Sequence, residues 1–305
     1  MGIIAASRLR GGGLEPSMNL FGSSFSGSNK WCGGVLAPNG KIYGMPFNSY
    51  QVLEIDPVNQ TTNLFVSFSG SNKWFGGVLA PNGKIYGIPF NSNQVLEIDP
   101  VNQTTNLFGS SFSGSAKWNG GVLASNGKIY GIPRESNQVL EIDPVNQTTN
   151  LFGSLSGPNK WCGGVLAPNG KIYGIPNDST QVLEIDPVNK TTSLFGSFSG
   201  NLKWSSGVLA PNGKIYGIPR DSNQVLEIDP VNQTTNLFGS LSGPNKWFGG
   251  LLASNGKIYG IPRDSNQVLE ISDINGPDVI GNDANIPASL SNLVASNYNE
   301  YYNKL

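Results

Sequence analysis

Short apolar runs alternate with tight polar turns along most of the chain, and the whole pattern repeats at a fixed period. Each repeat is centred on a tryptophan, and successive tryptophans are separated by 43, 44, 43, 43 and 43 residues. A fixed period of this length is typical of proteins built from one repeated supersecondary unit. The six tryptophans are Trp31, Trp74, Trp118, Trp161, Trp204 and Trp247.

Each repeat is predicted to form four short strands joined by tight turns. In the second repeat, Asn82-Gly83 predicts a type I′ hairpin, because that turn requires positive φ at both central residues. Asp99-Pro100 predicts the next reversal, since proline fixes φ and aspartate accepts hydrogen bonds from the backbone that follows. The four strands of this repeat are expected at residues 76–80, 84–88, 94–98 and 105–109.

The predicted strands are apolar on both faces, as in the runs Gly-Gly-Val-Leu-Ala and Val-Leu-Glu-Ile. A strand of this kind must be covered on both sides. Four-stranded sheets that stack around an axis provide that cover and leave only short edges exposed. The sequence therefore predicts an all-β fold: a six-bladed β-propeller with four antiparallel strands per blade.

The two ends of the chain suggest how the ring closes. The sixth repeat stops after its third strand, while Leu20-Phe21 matches the fourth strands of the other repeats. We therefore expect a flexible leader at 1–17 and a propeller at 18–272, in which residues 18–23 complete the last blade. The remainder, 273–305, is expected to form a C-terminal extension that is helical at about 287–304 and docks on the propeller, with association between chains as the alternative.

Charge and cysteine content limit the partners and the compartment. A net charge of −1 gives no general attraction to nucleic acid or to anionic membranes, and no apolar run has the length of a membrane span. The N-terminus lacks the apolar core of a secretory signal, so a cytoplasmic location is expected. Cys32 and Cys162 occupy the same place in repeats one and four, on opposite sides of a six-membered ring, which predicts two free thiols.

One unit carries a resemblance to known proteins: Val-Leu-Ala-Pro-Asn-Gly-Lys-Ile-Tyr-Gly-Ile-Pro, followed by Gln-Val-Leu-Glu-Ile-Asp-Pro. It resembles the kelch-like propeller repeats of largely uncharacterised proteins from algae, protists and large DNA viruses. The chain departs from standard kelch repeats because its tryptophan precedes the Gly-Gly pair. The resemblance implies a propeller and no established activity.

The chemistry-bearing residues argue against catalysis. Histidine is absent, which removes the commonest general base and metal ligand, and no phosphate-binding or calcium-binding motif is present. One glutamate recurs in every repeat, whereas catalysis normally requires a single asymmetric site. We therefore expect no enzyme activity, no cofactor and no metal, and a structural pairing of the glutamates with the repeated lysines. The glutamates are Glu54, Glu97, Glu141, Glu184, Glu227 and Glu270.

Two positions vary from repeat to repeat while the turns hardly change. One follows each tryptophan and the other follows the Ile-Pro or Met-Pro of the second strand, so both fall at the same end of an up-and-down blade. Variable loops on a rigid scaffold are typical of a binding surface, with neutral drift as the alternative. The candidate binding face comprises Cys32, Phe75, Asn119, Cys162, Ser205 and Phe248, together with Phe47, Phe90, Arg134, Asn177, Arg220 and Arg263.

A lysine precedes every tryptophan, and this ring is a candidate anion site at the mouth of the channel. The alternatives are pairing with the repeated glutamates or simple solvation. The tryptophans themselves are expected to pack between blades, although they could also stack on sugars. The lysines are Lys30, Lys73, Lys117, Lys160, Lys203 and Lys246.

These observations favour an interaction scaffold that binds a protein partner through the variable face and is itself a monomer or a weak oligomer. The alternative is a carbohydrate-binding propeller with repeated sites between blades. A hydrolase or lyase with its site on the axis is the weaker alternative.

Overall fold

The computed structural model describes residues 18–274, and these form six sheets arranged as the blades of a propeller. The all-β, six-bladed prediction is confirmed. Five blades have four antiparallel strands and the sixth has three. The strands of blades one to three are β1 (Trp31–Leu36), β2 (Ile42–Pro46), β3 (Val52–Asp56), β4 (Thr61–Phe65), β5 (Trp74–Leu79), β6 (Ile85–Pro89), β7 (Val95–Asp99), β8 (Thr104–Phe108), β9 (Trp118–Leu123), β10 (Ile129–Pro133), β11 (Val139–Asp143) and β12 (Thr148–Phe152). Those of blades four to six are β13 (Trp161–Leu166), β14 (Ile172–Pro176), β15 (Val182–Asp186), β16 (Thr191–Phe195), β17 (Trp204–Leu209), β18 (Ile215–Pro219), β19 (Val225–Asp229), β20 (Thr234–Phe238), β21 (Trp247–Leu252), β22 (Ile258–Pro262) and β23 (Leu269–Ile271).

The predicted turns connect consecutive strands within each blade, but the type I′ geometry predicted for Asn-Gly is wrong, because Gly83 has positive φ and Asn82 does not. At the Asp-Pro turn of the first blade, the Asp56 carboxylate accepts hydrogen bonds from the backbone N–H groups of Val58 and Asn59, at 3.0 and 2.9 Å. At the Asn-Gly turn, Gly40 has φ +77°, a conformation that other residues adopt only under strain. Both turns lie at one end of the blade, which we call the base.

The hydrophobic core lies between blades rather than inside any one sheet. Trp118 of blade three is 1% exposed and packs with Val78 and Tyr86 of blade two, and its indole N–H donates to the Gln138 carbonyl at 2.9 Å. The inner strand of blade three approaches the second strand of blade two so closely that a Cβ on Gly121 would lie 2.6 Å from Cδ1 of Ile88. Glycine is therefore required at this position of the inner strand.

The junction between blades six and one differs from the other five. Ile261 and Val268 of blade six are 43% and 60% exposed, whereas their counterparts in blade two, Ile88 and Val95, are fully buried. A cleft of about 850 Å³ borders the open edge of β23 and is lined by Leu241, Trp247, Leu269 and Glu270, among others. The structure thus has a seam at this point.

The predicted closure of the ring by residues 18–23 is not formed in the structure. This segment makes no strand with β23 and instead contacts blade one. The Ser23 N–H donates to Thr62 Oγ1 at 3.1 Å, just as the Ser110 N–H at the end of β8 donates to Thr149 Oγ1 at 3.2 Å. The segment therefore makes with blade one the contact that a fourth strand makes with the next blade, while blade six is not seated beside it.

Two predictions fall on residues that the structure does not describe. The leader at 1–17 and the extension beyond 274, including the helix expected at about 287–304, lie outside the described residues. Within 18–274 no helix combines the length and the apolar character needed to cross a membrane.

Candidate functional site

The position after each tryptophan lies on a β-bulge of the inner strand. In blade one, Trp31 pairs with Pro46 and the register then shifts before Gly34 pairs with Gly44, with Gly33 between them at φ +88°. A bulge re-aims the side chain that it carries and is common beside functional sites. The pairing of Trp31 with Pro46 also brings the two variable positions, Cys32 and Phe47, to the same end of the blade, as predicted.

We call this end the rim. It comprises the two variable positions of all six blades, and in contrast to the base its residues change around the ring. The rim residues of the inner strands are Cys32, Phe75, Asn119, Cys162, Ser205 and Phe248, and those of the loops after the second strands are Phe47, Phe90, Arg134, Asn177, Arg220 and Arg263.

Blades one and two carry an aromatic cluster on the rim. The ring centroids of Phe47 and Phe75 lie 5.9 Å apart with near-perpendicular planes, and Phe90 lies 5.6 Å from both. Phe47 and Phe75 are half-buried and therefore still present apolar surface to solvent. Aromatic pairs at these separations are mutually stabilising, so the cluster is preformed.

Blades three and five carry arginines that are held in place by the next blade. Arg134 Nε donates to Asn159 Oδ1 at 2.9 Å, and Arg220 Nε donates to Asn245 Oδ1 at 3.0 Å. The guanidinium of Arg134 also lies 5.6 Å from the ring centroid of Phe90, which joins it to the aromatic cluster. In blade six, the exposed Arg263 lies over the Phe248 ring at 5.8 Å.

The remaining rim positions are small or polar, and several contact the neighbouring blade. The Ser205 hydroxyl donates to the Trp247 carbonyl and accepts from the Gly249 N–H, both at 3.2 Å. The Asn119 amide lies 3.5 Å from Cys162 Sγ. Burial raises the pKa of the Cys162 thiol, and the positive charges of Arg134 and Arg220 partly offset that effect.

Cys32 is the second thiol of the rim, and burial raises its pKa to about 11. Both cysteines are free in the structure. Because the thiolate is the reactive form, neither thiol is activated as a nucleophile at neutral pH.

Most lysines of the candidate anion ring are buried, so they do not present an exposed ammonium group to an anion. Five of the six lysines are at most 4% exposed, and each Nζ donates to the carbonyl of the glycine three residues earlier. Lys73 also donates to the Phe47 and Ser49 carbonyls of the preceding blade. Burial lowers the pKa of Lys117 to about 8. The repeated Gly-x-x-Lys spacing was the available signal for this arrangement.

At the base, the repeated glutamates form ion pairs with the lysines that follow the Asn-Gly turns, not with the lysines that precede the tryptophans. This agrees with the predicted structural role of the glutamates. Glu97 is 4% exposed; it accepts from Lys84 Nζ at 2.7 Å, from the Tyr86 hydroxyl at 2.9 Å and from the Gln147 amide of the next blade at 3.1 Å. Burial raises the pKa of the equivalent Glu54, but hydrogen bonds from Lys41, Tyr43 and Gln103 outweigh it and leave that pKa below its usual value. These carboxylates link one blade to the next.

The positions that directly follow the loop residues of the rim differ in residue type but share one hydrogen-bonding role. The residue after each loop rim position accepts a hydrogen bond from a backbone N–H of the next blade, as Glu135 does from Asn159 at 2.9 Å. The residues of the next blade that donate these N–H groups all have positive φ, between 45° and 51°. The signal in the sequence was that every acceptor carries a side-chain carbonyl or carboxylate oxygen. The acceptors in the first five blades are Asn48, Asn91, Glu135, Asp178 and Asp221.

A family model described as a repeat of unknown function (DUF6923) matches residues 120–280, and the chain belongs to this family. No curated protein matches the sequence. The family and the fold support a repeated β-propeller, while the finer resemblance to kelch-like repeats stays a prediction.

Several solved structures share the fold. A streptogramin B lyase is 12% identical with a TM-score of 0.64, and the match covers 75% of each chain. A catalytically inactive virginiamycin B lyase from Staphylococcus aureus, with quinupristin, is 10% identical with a TM-score of 0.65, covering 82% of this chain and 85% of that one. The extracellular domain of a one component system from B. thetaiotaomicron is 10% identical with a TM-score of 0.61, covering 79% of this chain and 34% of that one. At these identities the likeness shows the fold alone.

These neighbours correct the prediction that the chain is not an enzyme, because propellers of the same shape include lyases. The prediction relied on the repetition of the carboxylates around the ring. That reasoning holds for the base but fails for the rim, where no two neighbouring blades carry the same pair of side chains. The rim provides the asymmetry that was taken to be missing.

Proposed function

We propose that this propeller binds a protein partner through its rim. The observation that carries the proposal is the preformed aromatic cluster of Phe47, Phe75 and Phe90, joined through Phe90 to Arg134. Aromatic and arginine side chains dominate the energetically important contacts of protein interfaces, where apolar anchors enter partly desolvated pockets. Arg263 and Phe248 of blade six form a smaller pair of the same kind, with one aromatic ring in place of three.

The burial of the tryptophans favours a protein partner over a carbohydrate. Five of them are at most 5% exposed, and their indole N–H groups donate to backbone carbonyls within the protein. They are therefore not free to stack on sugars between blades. A carbohydrate ligand would have to rely on the rim arginines without an indole platform.

The proposal is tested by quantitative affinity purification with three forms of the full chain. The rim variant Phe47→Ala/Phe75→Ala removes the exposed part of the cluster. The control variant Val101→Ala/Val145→Ala removes two apolar side chains that are 83% and 82% exposed at the base. A partner retained by the wild type and by the control, and lost by the rim variant, supports the proposal once it binds the purified wild-type chain directly.

The result that contradicts the proposal is equal recovery of every co-purifying protein with the rim variant and the wild type. Circular dichroism and melting temperature are measured for all three forms, because Phe47 and Phe75 also pack on each other. A glycan array with the same three proteins tests the alternative: saturable sugar binding that survives in the rim variant would replace the proposed function.

A further inference from the structure

We propose that the seam joins the chain to a second copy of itself, with blade six of one copy packed against blade one of the next. The proposal does not depend on the aromatic cluster of the rim, because Phe47, Phe75 and Phe90 belong to blades one and two and contact one another there. The five junctions within the chain repeat one set of contacts. The seam carries the two halves of that set on separate faces, one on blade six and one on blade one.

At the rim, one contact of the set joins an acidic or amide side chain to the backbone of the next blade. At the junction of blades five and six, the Asp221 carboxylate accepts from the Asn245 N–H at 2.6 Å, and Asn245 has φ +47°. At the seam, the same positions are Asp264 of blade six and Asn29 of blade one. Asn29 already has the conformation of the donors, with φ +48°, yet both residues are exposed. The donor and the acceptor of a sixth such contact are thus present but apart.

At the base, Gln60 of blade one is in the position of a residue that links two blades. In blade three, Gln147 accepts from the fourth strand of blade two at 3.3 Å and donates to Glu97 of that blade at 3.1 Å. Gln60 accepts from Asn19 at 3.3 Å in the same way. The acceptor that corresponds to Glu97 is Glu270, which is 44% exposed and, within residues 18–274, receives hydrogen bonds only from its own blade. Gln60 is therefore held in place for a carboxylate that its own copy does not bring to it.

The apolar contacts are divided between the two faces in the same manner. Phe25 lies 4.9 Å from Trp31, edge to face, as the equivalent pairs of three internal junctions do. Residues 18–25 thus sit on blade one as the last strand of a preceding blade would. On blade six, Ile261 and Val268 are exposed, although their counterparts in blade two are buried in the core shared with blade three. Association would remove this apolar surface from water.

The tight packing of the five internal junctions favours a second copy over closure of the ring within one chain. At each of them, a Cβ on the inner-strand glycine would clash with the second strand of the blade before it, whereas the seam borders an open cleft. Closing the ring would strain these close-packed junctions, while a second copy can meet either face without that strain. Because the two faces differ, the contact is heterologous, and each added copy again leaves one face of each kind free.

Sedimentation equilibrium of the full chain tests the association, and the average mass is expected to rise with concentration above that of one chain. Gln60→Lys should tighten the association by about fivefold, because Lys190 has the same position in blade four and pairs with Glu141 of blade three at 3.0 Å. Gln60→Glu should weaken it by about fivefold, since it sets a like charge against Glu270. Gln103→Lys makes the same change at the internal junction of blades one and two and should leave the association unchanged.

Disulfide trapping identifies which copy fills the seam. Leu20→Cys and Leu269→Cys, each combined with Cys32→Ser/Cys162→Ser, place thiols at positions that correspond to a cross-strand pair of blade two. Antiparallel partners lie close enough for a disulfide. The two single-cysteine chains should form a linked dimer when they are mixed and little when they are oxidised separately, and the chain with both cysteines should form a ladder of larger species.

Three results would each overturn the proposal. The first is a disulfide confined to one chain, or no excess of the mixed dimer over the separate controls. The second is a mass of one chain at every concentration. The third is equal association of Gln60→Lys and Gln60→Glu.

Discussion

The base and the rim of the propeller are built from the same strands, yet they use their side chains in opposite ways. At the base, a Lys-Glu-Tyr network recurs in every blade, and in most of them an amide or ammonium from the next blade completes it. At the rim, the corresponding positions change from phenylalanine to arginine, asparagine or cysteine. The difference teaches that the geometry of the ring is fixed at the base, which leaves the rim side chains available for recognition.

The largest effect is expected at the seam between blades six and one, because the contacts that hold the other blades together are interrupted there. Deletion of residues 1–23 removes the segment that contacts Thr62 and that matches the missing fourth strand of blade six. We expect the melting temperature to fall by about 10 °C or more, or the protein to oligomerise, because blade one loses this contact and blade six loses the strand that matches its missing fourth strand. Deletion of 1–17 alone should leave the melting temperature unchanged. An unchanged value for the longer deletion would show that the segment has no structural role.

A matched pair of substitutions tests the base network. Glu97→Ala should lower the free energy of unfolding by about 3 kcal/mol, because it leaves the ammonium of Lys84 and the hydroxyl of Tyr86 without their buried acceptor. Glu270→Ala removes the same contacts in blade six, where the carboxylate is 44% exposed, and should cost less than about 1 kcal/mol. Urea denaturation measures both. Similar losses would mean that burial at the base does not determine the stability of the ring.

The close approach of neighbouring blades can be tested by introducing a larger side chain at one junction. Gly121→Ala should cost about 1–3 kcal/mol, since its Cβ would meet Cδ1 of Ile88. Ile88→Val removes that methyl group. The double variant should therefore lose less stability than the sum of the single variants, in a double-mutant cycle followed by thermal unfolding. Additive effects of the two substitutions would show that a side chain at position 121 does not clash with Ile88.

The buried lysines predict a pH dependence with a defined sign. The pKa of Lys117 is lowered to about 8 in the folded state, so between about 8 and 10.5 the unfolded chain binds more protons at this group. Stability from this group must therefore rise with pH across that window. The unfolding free energy of the wild type should gain about 1 kcal/mol or more relative to Lys117→Met from the lower to the upper limit. Val101→Met, at the exposed base, should show a constant difference, and a constant difference for Lys117→Met would refute the prediction.

The smallest expected effects separate two adjacent serines of blade five. Ser205 bonds two groups of blade six, so Ser205→Ala should cost about 1 kcal/mol. The Ser206 hydroxyl is buried without a hydrogen-bond partner, so Ser206→Ala should be neutral or stabilising by up to about 1 kcal/mol. Thermal unfolding of the two variants gives the order. The reverse order would show that Ser206 has a partner that the structure does not record.

The sequence was sufficient for features that depend on local chemistry repeated six times. The Asn-Gly and Asp-Pro turns, the apolar runs and the tryptophan period together predicted the blades, and the common end of Cys32 and Phe47 followed from the strand order. The burial of the lysines that precede the tryptophans could not be predicted in this way. Whether Lys117 faces the channel or the junction depends on how far apart two blades stand, and strand order does not specify that distance.

At the rim, too, the sequence did not reveal which side chains contact the next blade. Variation alone could not show that Arg134 donates to the side chain of Asn159 in the next blade, while Glu135 accepts from the backbone N–H of the same residue. The two residues are adjacent and both charged, and only the position of Asn159 assigns their roles. For the same reason, sequence repetition misled the judgement on catalysis, because it describes the base and not the rim.

The five equivalent junctions have a consequence for how such a protein changes over generations. Nearly identical repeats recombine unequally, and each event adds or removes one unit of the array. Because blades two to five present the same isoleucine to a glycine of the next blade, and only blade one replaces it by Met45, an added unit docks without new compensating substitutions. Each event also inserts or deletes two rim residues and shifts the order of those that remain. Gene-level copy number can thereby reassort the recognition surface while the architecture of each junction is inherited intact.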